Sequence, residues 1–161
     1  MDSSNSNRAV PRSARNLKKI SAHSSTKIEA PEPNLTHSVI CKEGSVEITL
    51  PIRTVSEANC FEHWQKKHRR HESQKLQLRL ELLPFKKEIK LPCWVKLTRY
   101  APRMLDAFEN LPMSFKYIVD GLCEELTGDY RPGRADSDER IVLSCDQVKS
   151  KEYGIKIQIS F

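Results

Sequence analysis

No apolar run in this 161-residue chain approaches the roughly 18 residues that a membrane-spanning helix needs. The opening residues, MDSSNSNRAV, have no apolar core and do not read as a secretory signal, so a cytoplasmic location is expected. Close cysteine pairs are also missing. The five cysteines Cys41, Cys60, Cys93, Cys123 and Cys145 are odd in number, and neither C-x-x-C nor a Cys/His cluster of the structural zinc kind is present. Reduced, mostly buried thiols are the expectation. His68 and His71 stand three residues apart but lack further ligands nearby, so they read as a solvated helix face. No internal repeat is visible.

What the chain has is positive charge. Lys and Arg number 27 against 21 Asp and Glu, the net charge is +6 and the pI about 9.1. A balance of this kind fits a nucleic-acid partner. Residues 1–44 are rich in Ser, Asn, Pro and basic residues and poor in apolar ones. Such a segment cannot bury enough surface to offset its ordering entropy and is expected to be a disordered basic tail. Arg8, Arg12, Arg15, Lys18 and Lys19 would brush phosphates without sequence preference, or the tail simply solubilises the chain. One ordered domain is expected over 45–161.

Within that domain Val46, Ile48, Leu50 and Ile52 alternate with polar residues, the period of a half-buried strand, and Pro51 marks an end that leaves the sheet. A helix is expected from about Ser56 to Leu82, anchored by Phe61 and Trp64 and buried along Leu76, Leu80 and Leu83. Its middle, Gln65 to His71, is cationic all round, so it must face solvent or a charged partner. Ile89, Leu91, Cys93, Val95 and Leu97 form the inner side of a second strand, which delivers the chain to Arg99 and Arg103. Leu111, Phe115, Ile118, Leu122 and Leu126 recur at helical spacing, with Asn110 as N-cap, Pro112 in the first turn and Gly128 at the stop. Two last strands, Ile141 to Gln147 and Tyr153 to Phe161, joined by a short polar link, read as an antiparallel hairpin. The order β-α-β-α-β-β gives an α+β fold, a small mixed sheet with two main helices.

Two acidic groups flank the second helix: Asp106 and Glu109 before it, and Asp136, Asp138 and Glu139 after the Pro132-Gly133 turn. Hard divalent cations take carboxylate, water and phosphate oxygens, so convergent carboxylates in a basic protein suit phosphodiester hydrolysis. A helix beginning near Glu109 would align Glu109, Lys116 and Asp120 on one face. Lys116 would then reach a phosphate or leaving-group oxygen as an electrostatic clamp. Solvated turns with no metal are the plain alternative.

The set Leu105-Asp106-x-x-Glu109-Asn110-Leu111, then Lys116, then Asp120-Gly121-Leu122, then an Asp-rich turn before a strand, resembles the RusA family of Holliday junction resolvases, phage and prophage endonucleases of DNA recombination and repair. The resemblance covers roughly residues 45–161. It implies a RusA-like fold, a homodimer, four-way DNA junctions as substrate and Mg²⁺ (or Mn²⁺) as cofactor, with no membrane partner. By it, Asp106, Glu109 and Asp138 would be the metal-binding catalytic carboxylates and Lys116 the catalytic lysine. Lys66, Lys67, Arg69, Arg70 and Arg103 would form the DNA-binding surface. Glu109 stands where the family usually has Asp, which leaves open a DNA-binding protein on the same fold with weakened or absent catalysis. An unrelated interaction protein is the remaining reading.

Overall fold

Alternation acts as the sequence indicates in the first long strand. Val46, Ile48 and Leu50 all turn inward and are buried, and each such side chain contributes about 1.5–3 kcal/mol on removal from water. In the computed structural model residues 35–161 are described, apart from positions 60 and 132. Of the tail expected over 1–44, residues 1–34 lie outside the described residues, as does Cys60.

The elements are β1 (Ser38–Lys42), β2 (Ser45–Leu50), α1 (Trp64–Leu82), β3 (Cys93–Ala101), α2 (Asn110–Ser114), α3 (Lys116–Thr127), β4 (Ile141–Lys149) and β5 (Gly154–Ser160). They form one mixed five-stranded sheet in the order β1-β2-β5-β3-β4, so the class is α+β. All neighbours are antiparallel except β3 and β4, which run parallel from Cys93↔Ile141 to Ala101↔Lys149. The inward residues Val95, Leu97, Ile155, Ile157 and Ile159 meet Leu78 and Leu82 of α1 and Phe115, Ile118 and Leu122 around α3 in a single core. The opposite face carries Glu47, Lys156 and Gln158, where Lys156 Nζ and Gln158 Nε2 each approach a Glu47 oxygen at 2.9 Å. Among the described residues no helix is long and apolar enough to cross a membrane.

Several expectations are corrected. The ordered domain begins before residue 45. β1 pairs with β2 around Gly44, whose φ of 71° suits a residue without a Cβ. β1 is exposed along most of its length, so it has no burial pattern to betray it. The expected β4–β5 hairpin does not form. The two strands run antiparallel, but β3 lies between them, and the link from β4 passes over the end of β3, where Ser150 N–H donates to Ala101 O at 3.0 Å.

The helix expected from Ser56 starts at Trp64, after a separate short 3₁₀ turn at Glu57–Asn59. Phe61 and Trp64 are exposed rather than anchoring. Its buried stripe is Gln74, Leu78 and Leu82, while Leu76, Leu80 and Leu83 face solvent. Leucines at every second position, 76 to 82, are compatible with either face, and close packing of α1 on α3 decides between them. A Cβ added at Gly121 of α3 would stand 3.0 Å from Lys75 Cγ and 3.5 Å from Leu78 Cδ2, so glycine there lets the two helices approach.

The strand expected from Ile89 begins at Cys93, and Ile89 and Leu91 pack on the core from outside it. The expected core face of the second helix is buried except at Leu126, which is partly buried, but the helix is broken at Phe115 into α2 and α3. Gly128 does end it, in the left-handed conformation with φ 73°.

The phase of α1 gives a direct test. Leu78→Ala is expected to cost about 2–5 kcal/mol of unfolding free energy through transfer and cavity terms, whereas Leu76→Ala should stay within about 0.5 kcal/mol. Denaturant unfolding of the two variants reads this, and equal losses would contradict the assigned face.

Candidate functional site

The first acidic group sits where the chain leaves β3. Arg99, near the end of that strand, is buried, and its Nε donates to Thr54 Oγ1 at 3.1 Å while its Nη1 donates to Arg103 O at 2.8 Å. Burial lowers the pKa of this guanidinium, and its bonds hold the loop rather than a ligand. Gln147 on β4 grips the loop from the other side: its Oε1 accepts from Leu105 N–H at 2.9 Å and its Nε2 donates to Leu105 O at 2.6 Å.

Asp106 then caps the start of α2. Its Oδ1 accepts from the Glu109 amide at 2.8 Å, its carboxylate takes the Asn110 amide at 3.3 Å, and the Asn110 side-chain amide also donates to it. Asn110 is therefore the first helical residue and not the cap; the carboxylate of Asp106 does the capping chemistry. The Asn110 side chain and the Glu109 amide hold Asp106 below the usual carboxylate range. Glu109 is exposed at the start of α2.

The second acidic group sits where the chain enters β4. Asp138 O accepts from Ile141 N–H at 3.0 Å. Its carboxylate takes Arg140 through Nε at 2.9 Å, Nη2 at 2.6 Å and the Arg140 amide at 3.0 Å. Arg140 holds the Asp138 pKa down at about 2.

Asp106 and Asp138 thus lie at opposite ends of β4, the one next to Leu105, which Gln147 holds, and the other accepting from Ile141 N–H through its carbonyl. The strand between those residues is roughly 20 Å long at about 3.3 Å per residue. Among the described residues no group of three or more His, Cys, Asp or Glu side chains is arranged to hold a metal ion. Asp106 and Glu109 stand at one end of β4 and Asp138 at the other.

Lys116 is placed differently from the sequence expectation. The break at Phe115 separates it from the Glu109 turn, so Glu109, Lys116 and Asp120 do not share one continuous helical face. Lys116 instead lies 3.9 Å from Asp120. Both line a cleft of about 250 Å³ together with His71, Lys75, Arg131 and Asp136. Burial pushes the Asp120 carboxyl up, against the pull of Lys116, Lys75 and His71. Burial and Lys75 lower the pKa of His71, whose ring stacks on Tyr117 at 4.2 Å. His71 is thus not part of the solvated helix face expected of it, and Lys75 escapes a sequence reading, because helical periodicity cannot show which face of α1 meets α3.

Of the expected DNA-contacting residues, Lys66, Arg69 and Arg103 are exposed, and no ion pair involves them among the described residues. Arg70 is committed internally, at 2.5 Å from both Glu57 and Glu62, and Lys67 lies 3.5 Å from Glu57. These contacts fasten the segment before α1 onto the helix. Of the four described cysteines, Cys93 and Cys123 are buried as expected, whereas Cys41 and Cys145 are exposed. No protein-family model matches the chain, and no curated protein matches it either.

The Asp138–Arg140 chelate is measurable. A group whose folded pKa is depressed adds stability above its unfolded pKa and loses it as pH falls through the folded value. For Asp138 that window runs from about the ordinary 3.8 down to about 2. Carbon-detected NMR titration should place Asp138 near 2, and Arg140→Ala should return it towards 3.8; an unchanged titration would contradict the chelate.

Proposed function

We propose that the chain is a metal-dependent, structure-selective endonuclease of the RusA type that resolves four-way DNA junctions, with Mg²⁺ or Mn²⁺ as its cation. The observation that carries the reading is the unit β3–α2–α3–β4. It keeps the Leu105-Asp106-x-x-Glu109-Asn110-Leu111 loop, Lys116 and the Asp138 turn on successive elements, with Asp106 and Glu109 exposed and with Asp106 and Asp138 held ionised. The excess positive charge and the uncommitted Lys66, Arg69 and Arg103 support a polyanionic substrate. When bound, the cation would supply charge neutralisation at a phosphate. Lys116 would hold a phosphate or leaving-group oxygen, and α1 would steer the duplex arms without reading sequence.

A second reading, a RusA-like DNA-binding protein with weak or no cleavage, is favoured by one observation. The Asp138 carboxylate is bound by Arg140 and the Asp106 carboxylate caps α2, so both would have to exchange partners to ligate an ion.

Cleavage of a labelled four-way junction, with linear duplex as control, in Mg²⁺ and in Mn²⁺ separates the two readings. The nuclease reading expects paired symmetric cuts that vanish in Asp138→Asn. Lys116→Ala should slow cutting by about 10²-fold or more, the scale of one lost electrostatic contact. Tight junction binding without cutting selects the second reading, and neither binding nor cutting removes DNA as the substrate. On the binding side, Lys66→Ala and Arg69→Ala should weaken junction affinity at every sequence and each lower the salt slope by about 1. Unchanged slopes would take α1 out of the interface.

A further inference from the structure

The most exposed of the large apolar side chains are aromatic. Among the described residues Phe61 is 103% exposed and Phe108 93%, and Trp64 follows at 66%. Each such ring removes about 150–250 Å² from water once it is covered. The three belong to two segments that touch. Ser56 Oγ donates to Asn110 Oδ1 at 2.6 Å, which joins the approach to α1 to the start of α2. Phe61 and Trp64 follow Ser56 into α1, and Phe108 stands two residues before Asn110.

Neither segment is slack. Arg70 of α1 binds both Glu57 and Glu62, and Phe61 is the neighbour of Glu62. On the other segment Gln147 holds both backbone groups of Leu105, Arg99 holds Arg103 O, and the Asp106 carboxylate takes the Glu109 amide. The rings are therefore carried in water on a fixed backbone, so little ordering entropy opposes a contact there.

The uncommitted charge on these segments is mainly positive. Lys66 and Arg69 in the first turns of α1, and Arg103 ahead of the Phe108 loop, are exposed. Of the carboxylates, Glu57 and Glu62 are paired with Arg70 and Asp106 caps α2, whereas Glu109 is exposed.

We propose that Phe61, Trp64 and Phe108 form a stacking surface for unpaired nucleotides, and that the chain binds single-stranded DNA across it, with Lys66, Arg69 and Arg103 on the phosphates.

A strand with unpaired bases fits both halves of the pattern. Its phosphates meet the cations, and every base offers a flat face on which an aromatic ring stacks, whatever the sequence. In a regular duplex those faces are covered by the neighbouring base pairs, so rings standing in water would have nothing to stack on. A protein partner fits less well. The middle of a protein interface is depleted of charged residues, and here three cations and Glu109 share the two segments with the rings. The proposal rests on a nucleic-acid partner and not on cleavage.

The test measures fluorescence anisotropy of the full chain on a labelled oligothymidine of about 20 nucleotides, long enough to span several stacking positions. A duplex of the same length is the control. The single strand should bind. Phe61→Ala and Phe108→Ala should each weaken that binding by about 5-fold to 100-fold, the scale of one lost stacked base, and leave duplex affinity and the circular dichroism spectrum unchanged. Their salt slope on the single strand should stay native, whereas Lys66→Ala should lower it by about 0.7. Stacking should also quench Trp64 emission. Trp64→Phe should abolish the quenching and keep the binding, and Trp94→Phe should leave the quenching in place.

No single-strand binding, equal losses on strand and duplex, or an aromatic variant that changes only the salt slope would overturn the surface. So would self-association in sedimentation that Phe108→Ala abolishes while single-strand affinity stays native, because the rings would then cover one another. A chain that cuts junctions but keeps native single-strand affinity in both phenylalanine variants retains the nuclease reading and loses this one. A chain that binds strands through the rings and cuts nothing supports the stacking surface and loses the nuclease reading.

Discussion

The parallel pairing of β3 with β4 is the constraint from which the rest of the arrangement follows. Parallel neighbours cannot be joined by a tight turn, so the chain must leave one end of the pair, cross the sheet and return to the other end. Here α2 and α3 make that crossing, and Phe115 between them joins Ile118 and Leu122 of α3 in the core. The crossing dictates that everything before α2 belongs to one end of β4 and everything after α3 to the other. Asp106 and Asp138 are therefore held apart by backbone topology and not by a choice of rotamer, and no side-chain adjustment within one chain would bring them together. The short link over the end of β3 then places β5 between β3 and β2, which leaves β4 as a free edge.

Around this frame the charged residues fall into two populations. One is structural. Arg70 joins Glu57 and Glu62, and Arg79 and Lys86 converge on the buried Glu125 at 2.9 and 3.1 Å, with Tyr130 OH at 3.2 Å from the same carboxylate. A buried carboxylate satisfied in this way ties α3 to the end of α1 and to the loop after α3, and its removal would leave cations clustered without an acceptor. The other population is uncommitted and cationic. Lys66, Arg69 and Arg103 lie in water, where their charge is available to a polyanion. A count of Lys and Arg along α1 cannot separate the two, because the acidic partners come from the preceding segment and from α3.

Much of the fold was legible because the sheet is buried on one face only. Val46, Ile48 and Leu50 alternate, as do Ile155, Ile157 and Ile159, and each set is apolar at the inward positions. The core of α3 was visible for the same reason at helical spacing. What escaped was decided by contacts distant in sequence. The phase of α1 depends on Gly121, β1 depends on pairing alone, and the insertion of β3 between β4 and β5 leaves no mark in either strand. The candidate site was legible as a set of residues but not as a geometry. Asp106 and Asp138 each occupy the element junction expected of them, whereas Lys116 is helical but not on the face expected. The break at Phe115 and the opposite ends of β4 could not be read from spacing, since both arise from how the crossing packs.

The separation of the two acidic groups is the claim most directly open to measurement. Spin labels on residues 107 and 139 of the same chain, diluted into unlabelled protein, report that distance by dipolar spectroscopy free of contributions from a second labelled copy. The account expects a distance of roughly 20 Å or more, set by the length of β4. A distance near 10 Å would contradict it, and would mean that one chain gathers its own carboxylates.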